Sequence, residues 1–334
     1  MTSSPKIFVT GGTGFLGHSL LPMLVQQGYH VRALTRHPER SAWLHPLGVE
    51  IVQGDVEDEA LIQQAVEGCQ YVIHAAGRFS FWGKREQFEQ TNVIGSRHVM
   101  QAAVNAGVEK FIHISTVVVV GTPLPDLLVD ETHPTHPVDP YQRSKLRGEQ
   151  VALDYFHDHK LPVVVLRPGA FYGPHGRYAF NRLFIEDPIK GLRIQLNNGR
   201  YITFPVYTGD VAASAINALK LGKAGEVYNI CGETMTHHQA NDIVSEEAGI
   251  SRFRLNVPGW SMIALAYVWT ALSEYTHIEP YYPLNLRSYV FNYWRVSSEK
   301  AKRDLNFQPI SFRDGVRATL DWYYREGIVK PRRG

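Results

Sequence analysis

Residues 6–17 read KIFVTGGTGFLG: a short apolar run, Lys6 to Thr10, opens into Gly11, Gly14 and Gly17, with a helical stretch from Gly14 to Gln27 behind them. A strand that turns through glycines straight into a helix gathers free backbone amides and the positive end of the helix dipole at one point. Gly11 permits the tight turn, Gly14 lets the backbone approach a diphosphate, and Gly17 lets the helix pack close to the strand. Thr13, Phe15 and Leu16 belong to the same turn and are expected to line the phosphate site. A glycine turn used only for packing is the competing reading, and the strand, turn and helix context favours a dinucleotide over it.

Outward from this turn the rhythm repeats. His30 to Leu34, Glu50 to Gln53, Tyr71 to His74, Lys110 to Ser115 and Pro162 to Arg167 read as strands, separated by the helix-length segments Asp58 to Glu67, Gln87 to Ala106 and Pro140 to His159. Parallel strands need crossover helices, and right-handed crossovers cover both faces of the sheet. The expected fold is therefore α/β, a doubly wound parallel sheet of the Rossmann kind. After Arg167 come turns, a further strand and helix (Thr203 to Tyr207, Asp210 to Leu221) and an aromatic-rich tail. The expected organisation is a cofactor domain of residues 1–167 plus 203–230, with 203–230 returning to the sheet. A smaller, discontinuous substrate domain takes residues 168–202 plus 231–334.

Composition narrows the partners. The 334 residues are 44% hydrophobic, enough for a large core, and 34 Lys and Arg against 32 Asp and Glu leave a formal net charge of +2. No basic run is interleaved with aromatics, so nucleic acid is not an expected partner. Cys69 and Cys231 match no metal or redox spacing, which points to free thiols in a reducing compartment. His133 and His136 alternate with prolines and His237 and His238 are adjacent, so no metal site is expected. Met1 to Lys6 leads directly into the first strand without a signal-peptide pattern, and a cytoplasmic location is expected. The apolar stretch Trp260 to Leu272 falls short of the ~20 residues of a membrane span. A buried or pocket-lining helix is expected there, with peripheral membrane contact as the alternative.

Tyr141 and Lys145 stand four apart in YQRSK, which on a helix sets both side chains on one face. A nearby ammonium is expected to lower the phenol from its ordinary pKa near ~10 and ready it for proton transfer. At the end of the strand Phe111 to Ser115, Ser115 and Thr116 are two candidate hydroxyl donors to a substrate oxygen. A purely structural Thr in a strand is the other reading of Thr116. After the second strand stand Thr35 and Arg36 where NAD-binding proteins keep an acid for the 2′-hydroxyl. A guanidinium there pairs with a 2′-phosphate, so NADP(H) is the preferred cofactor, with NAD(H) possible; a solvated loop residue is the alternative.

The spacing G-x-x-G-x-x-G followed by YQRSK resembles the extended short-chain dehydrogenase/reductase family, and the likeness runs over nearly the whole chain. It implies a catalytic trio of Thr116, Tyr141 and Lys145, with Tyr141 moving the proton and Lys145 also bonding the nicotinamide ribose. Thr116 takes the hydroxyl position by its distance before Gly121. The same likeness sets Asp55 and Val56 at the adenine, Ala75, Ala76 and Gly77 beneath the cofactor, and Asn92 of QTNVIGS as a positioning residue; a helix-surface amide is the other reading of Asn92. Within RPGAFYGP it gives Pro168 and Gly169 the carboxamide and leaves Phe171 toward the substrate. Homodimerisation through the helices 87–106 and 140–159 is a further implication.

The family spans ketone reductases, sterol dehydrogenases, epimerases and dehydratases, so local departures have to choose among them. Dehydratases carry acids after the catalytic Thr, whereas Val117 and Val118 follow here. Epimerases carry an arginine shortly after the glycine equivalent to Gly199; here the matching residue is Thr203, with Arg200 nearby. Trp260, Tyr267, Trp269, Tyr275, Tyr281, Tyr282, Tyr289, Phe291, Tyr293 and Trp294 can build a ring-binding wall, or simply core. The tail VSSEKAKRDLNFQPISFRDGV resembles the 3β-hydroxysteroid dehydrogenase and dihydroflavonol reductase branch, and Phe79, Phe81 and Trp82 are candidate substrate contacts. The leading expectation is an NADP(H)-dependent reductase of a hydrophobic ketone or aldehyde, or the reverse alcohol dehydrogenase. A nucleotide-sugar epimerase with retained NAD is the alternative, and a non-catalytic cofactor sensor the third.

Overall fold

Apolar runs with no polar face can only be satisfied inside a sheet covered on both sides, and that is where they lie. The computed structural model describes residues 4–330. Its main sheet has seven strands: β1 (Lys6–Thr10), β2 (His30–Thr35), β3 (Glu50–Gln53), β4 (Tyr71–His74), β5 (Lys110–Ile114), β6 (Val163–Pro168) and β7 (Val227–Ile230). They pair in the order β7-β6-β5-β4-β1-β2-β3, every pair parallel. The order reverses at β1, whose neighbours are β2 on one side and β4 on the other. In such sheets the ligand crevice opens outside the carboxyl ends of the strands at that reversal.

The two-residue period of a strand builds two cores from one sheet. On β1, Ile7 and Val9 face a cluster with Leu20, Leu21 and Leu24 of α1 (Gly17–Gln26). Phe8 faces the opposite cluster, with Ile62 of α2 (Glu59–Val66), Val99 and Met100 of α3 (Ser96–Asn105), and Ala152 and Tyr155 of α4 (Pro140–His159). On the first face, α5 (Thr208–Leu221) adds Val211, Ala215 and Ile216. The helix starts are encoded locally: Asp58 caps α2 through the amide of Leu61, and Asp139 caps α4 through that of Gln142, with Pro140 in its first turn.

Two expected elements come out differently. Residues 87–106 do not form one α-helix: a helical turn at Arg85–Glu89 passes through a π-turn at Gln90–Gly95 into α3. The extra residue of that turn accompanies a buried Asn92, a common association of π-turns with functional positions. Residues 203–207 do not enter the main sheet either. Pro205–Tyr207 pairs with Ala170–Tyr172, and Ile202–Thr203 pairs with Met235–Thr236, while only α5 and β7 of that segment return to the main sheet. The edge of β6 is already taken by β7, which leaves 205–207 to extend the chain beyond it. There Phe204 O lies so near Gly169 that a Cβ on the glycine would meet it at 2.3 Å.

Beyond the sheet, Tyr172, Phe180 and Ile185 form a third core with α6 (His237–Glu247) and the last helix, Phe312–Arg325. Between these two helices α7 (Gly259–Thr276) lies over the surface, with only Gly259, Ala266 and Ser273 buried. Among the described residues no helix is long and apolar enough to cross a membrane.

Candidate active site

A cleft of about 720 Å³ opens at the carboxyl edge where β1 and β4 part. Its floor is the glycine turn. Gly11 has φ +71°, and a Cβ on it would collide with the Ala75 backbone at 2.7 Å; a Cβ on Gly17 would sit 1.9 Å from Gly12 O. Those two glycines close the turn and seat α1. A Cβ on Gly14 would meet only Gly11 O at 3.1 Å, and the space beside it belongs to the cleft. Among the described residues no side chain caps α1; the amides of His18, Ser19 and Leu20 already donate to Gly14 O and Leu16 O, and those of Phe15 and Leu16 just ahead of them are left for an anion. This cradle suits a dinucleotide diphosphate.

Most of the expected site residues line this one cleft: Gly11, Thr13, Gly14, Phe15 and Leu16 at one end, Arg36, Asp55 and Val56 beyond them, and Ala75, Ala76 and Gly77 beneath. Pro168, Gly169 and Phe171 form a wall, and Thr116, Tyr141, Lys145, Phe79 and Phe81 gather at the far end. Trp82 and Asn92 do not line it. Trp82 is held outside by the Ser80 hydroxyl, which accepts its amide at 3.0 Å. Asn92 lies just behind the wall, donating to Ser144 Oγ at 2.8 Å and Arg78 O at 3.1 Å and accepting Arg78 N at 2.7 Å. It ties the strand end after Gly77 to α4 instead of facing the cleft.

The trio departs from the expected electrostatics in one respect. Lys145 Nζ donates to Ile114 O at 2.7 Å, and burial lowers its amine to about 8 despite the opposing charge of Glu149. Tyr141 is not lowered: burial and then the negative Asp139 hold its phenol well above the ordinary value, against a weaker pull from a hydrogen bond with Thr116. Removing a phenolate from water outweighs a lysine whose own charge is weakened by the same burial. Below them His74 is kept neutral, down to about 3, by burial and then Lys145, while Thr10 Oγ1 and Ser96 Oγ sit at 2.7 and 2.9 Å from its ring nitrogens.

Ser115 and Thr116 separate by partner. Ser115 Oγ donates to Glu149 Oε2 at 2.7 Å, and Glu149 is clamped by the buried Arg167 at 3.0 Å. Thr116 Oγ1 makes only long contacts, donating to Pro168 O at 3.4 Å and accepting the amide of Val118 at 3.5 Å, and lies beside Tyr141. The buried Glu149 and Arg167 pair had no sequence signal, since nothing marks two residues 18 apart on a helix and a strand as neighbours. Also unforeseen was Tyr178 in the wall, stacked on Phe81 at 5.6 Å. The tail aromatics divide: Tyr289 lines the cleft and Trp294 is fully buried, but Trp260, Tyr267 and Tyr275 face outward.

Residues 7–231 match the model of the NAD dependent epimerase/dehydratase family. The chain belongs to that family, the extended short-chain dehydrogenases/reductases. It is 30% identical over 316 residues to the 4-hydroxy-2-methyl-3-oxo-4-farnesyl-3,4-dihydroquinoline-1-oxide ketoreductase of Stigmatella aurantiaca, covering 90% of this chain and 91% of the relative. With Sterol demethylase protein B of Methylococcus capsulatus it shares 30% identity, covering 96% and 99%. The crystal structure of DesIV, a dTDP-glucose 4,6-dehydratase from Streptomyces venezuelae with NAD and TYD bound, superposes with a TM-score of 0.78 at 25% identity over 98% and 99% of the two chains. As a member of this family the chain is an NAD(P)-dependent oxidoreductase that acts on a small molecule.

Proposed function

We propose that this extended short-chain reductase uses NADPH to reduce the ketone or aldehyde group of a mostly apolar molecule, or runs the reverse alcohol oxidation. The observation that carries this reading is the ring wall around Tyr141. The Phe79 ring lies 4.8 Å from that of Tyr141, and Phe79 packs in turn on Phe81 at 5.1 Å and Tyr178 at 5.6 Å. Rings and few charges favour an apolar substrate over a sugar nucleotide. The ketoreductase of Stigmatella aurantiaca, whose name gives a farnesylated substrate, is consistent with that class.

The residues divide the work simply. When bound, the nicotinamide supplies or accepts the hydride at its C4. Tyr141 keeps its proton at neutral pH because burial disfavours the phenolate, which makes it a donor to the carbonyl oxygen during reduction. The Thr116 hydroxyl shares that oxygen while its charge grows, and Lys145 in its ammonium form adds positive field. Asn92 holds the Gly77 and Arg78 backbone against α4, keeping the trio in register.

NADP(H) is favoured over NAD(H) by Arg36, which lines the cleft with His37 and Arg40 and sits 3.6 Å from Asp55 Oδ2. Three basic side chains around one end suit a 2′-phosphate. Pairing of two copies through α3 and α4 rests on the family likeness. The test is consumption of NADPH by purified protein offered bulky apolar ketones, then small polar ones. Turnover of the first group is expected; a tightly held NAD released only on denaturation, with no ketone reduced, would favour the nucleotide-sugar epimerase reading.

A further inference from the structure

A helix that is apolar all round belongs in a core, yet α7 has an open side. Trp260 is 74% exposed, Val268 57%, Leu272 56% and Tyr275 89%. With the exposed Ala264 between the first two, these residues recur every three or four positions and form one stripe along the helix. The opposite face, through Met262, Ile263 and Ala266, roofs a second cavity of about 100 Å³. Leu183, Phe184, His237, Leu286 and Val290 are walls of that cavity and of the cofactor cleft alike. One helix thus has an apolar exterior and an apolar interior that borders the reaction space.

Around the stripe cations outnumber acids. The ribbon beside α7 pairs Ile194–Leu196 with Leu255–Val257 and exposes Leu192, Phe253 and Leu255 as well. Segments 188–200 and 248–276, which build this face, contain Lys190, Arg193, Arg200, Arg252 and Arg254 against one acid, the exposed Glu274. Arg254 is buried, and Lys190 and Arg252 reach back to Glu186 and Glu246. Arg200 is exposed and Arg193 half-buried. Aromatic and aliphatic side chains bordered by cations are what an interfacial helix presents to anionic headgroups.

We propose that this face docks on an anionic lipid surface, the stripe of α7 entering the headgroup region and the cavity beneath it receiving apolar substrate directly from the lipid. A second copy covering the stripe would need no cations and would shut the cavity. The delivery half rests on the proposed reductase reading; the docking half does not.

The test is co-sedimentation of the full chain with vesicles of phosphatidylcholine, alone and mixed with phosphatidylglycerol. Binding to the mixed vesicles, weakened by added salt, is expected. Val268→Glu with Leu272→Glu should lower the partition constant at least about tenfold, a change that the buried area of one Leu suffices to produce. The same variant should keep its circular dichroism, its NADPH binding and its turnover of a water-soluble ketone. Failure of the wild-type chain to bind either vesicle overturns docking, as does equal binding by the variant. A wild-type dimer that the variant converts to monomer assigns the stripe to a second copy and overturns it too. Vesicle binding without reduction of any ketone supports docking and removes the reductase reading instead.

Discussion

The proposed chemistry falls to Thr116, Tyr141 and Lys145 at one end of the cleft; spacing set two of them on one helix face, and the family likeness supplied their roles. Tyr141 and Lys145 share a helix face because four residues make about one turn. Their pKa order was not legible, because it depends on burial that only the assembled cleft supplies. That order has a sign. Lys145 is charged below about 8 and neutral above it, so reduction that depends on the ammonium should fall as pH rises through about 8. A lysine at the ordinary ~10.4 would hold the rate flat past pH 9. A pH profile of kcat/KM with an apolar ketone distinguishes the two, and a flat profile rejects the lowered amine. Tyr141→Phe should cut turnover by about 10²–10⁴ and leave NADPH binding intact; unimpaired turnover would remove Tyr141 from the mechanism. Arg36→Asp should shift the ratio of NADPH to NADH dissociation constants toward NADH by about tenfold or more, the value of one charged hydrogen bond. An unchanged ratio would return Arg36 to the solvent.

At the scale of elements, strands declared themselves because a fully buried strand tolerates no polar face; Val163 to Leu166 have no exposed surface at all. What periodicity could not reveal was pairing. Nothing in Thr203 to Tyr207 says that its partner is Ala170–Tyr172 instead of the main sheet, and nothing in Gln90–Gly95 announces a wider turn. The ion pair between α4 and β6 is hidden for the same reason. It is also costly to break on one side only. Arg167→Met should destabilise the chain by about 3–5 kcal/mol in denaturant unfolding by stranding the buried Glu149 carboxylate. Adding Glu149→Gln should recover part of that loss. A single variant as stable as the parent would mean that the pair contributes nothing.

For the whole molecule, a doubly wound sheet with right-handed crossovers must reverse its strand order somewhere, so a cleft at a reversal was foreseeable, though its place at β1 was not. Of its outer wall only Tyr289 was foreseeable, since Tyr178 and Leu286 join it from distant parts of the sequence. A ligand that spans this cleft stabilises the fold by mass action, about 2.7 kcal/mol at a hundred times Kd. NADPH should therefore raise the thermal midpoint, and a midpoint indifferent to both NADPH and NADH would mean that the cleft is no coenzyme site. Hydride transfer onto an apolar carbonyl is tested most directly by incubating such a ketone with NADPH deuterated at C4, each of the two faces in turn. One face should deliver a single deuterium to the carbinol carbon in every turnover. Product alcohol free of label from both faces, or no alcohol at all, would contradict the assignment.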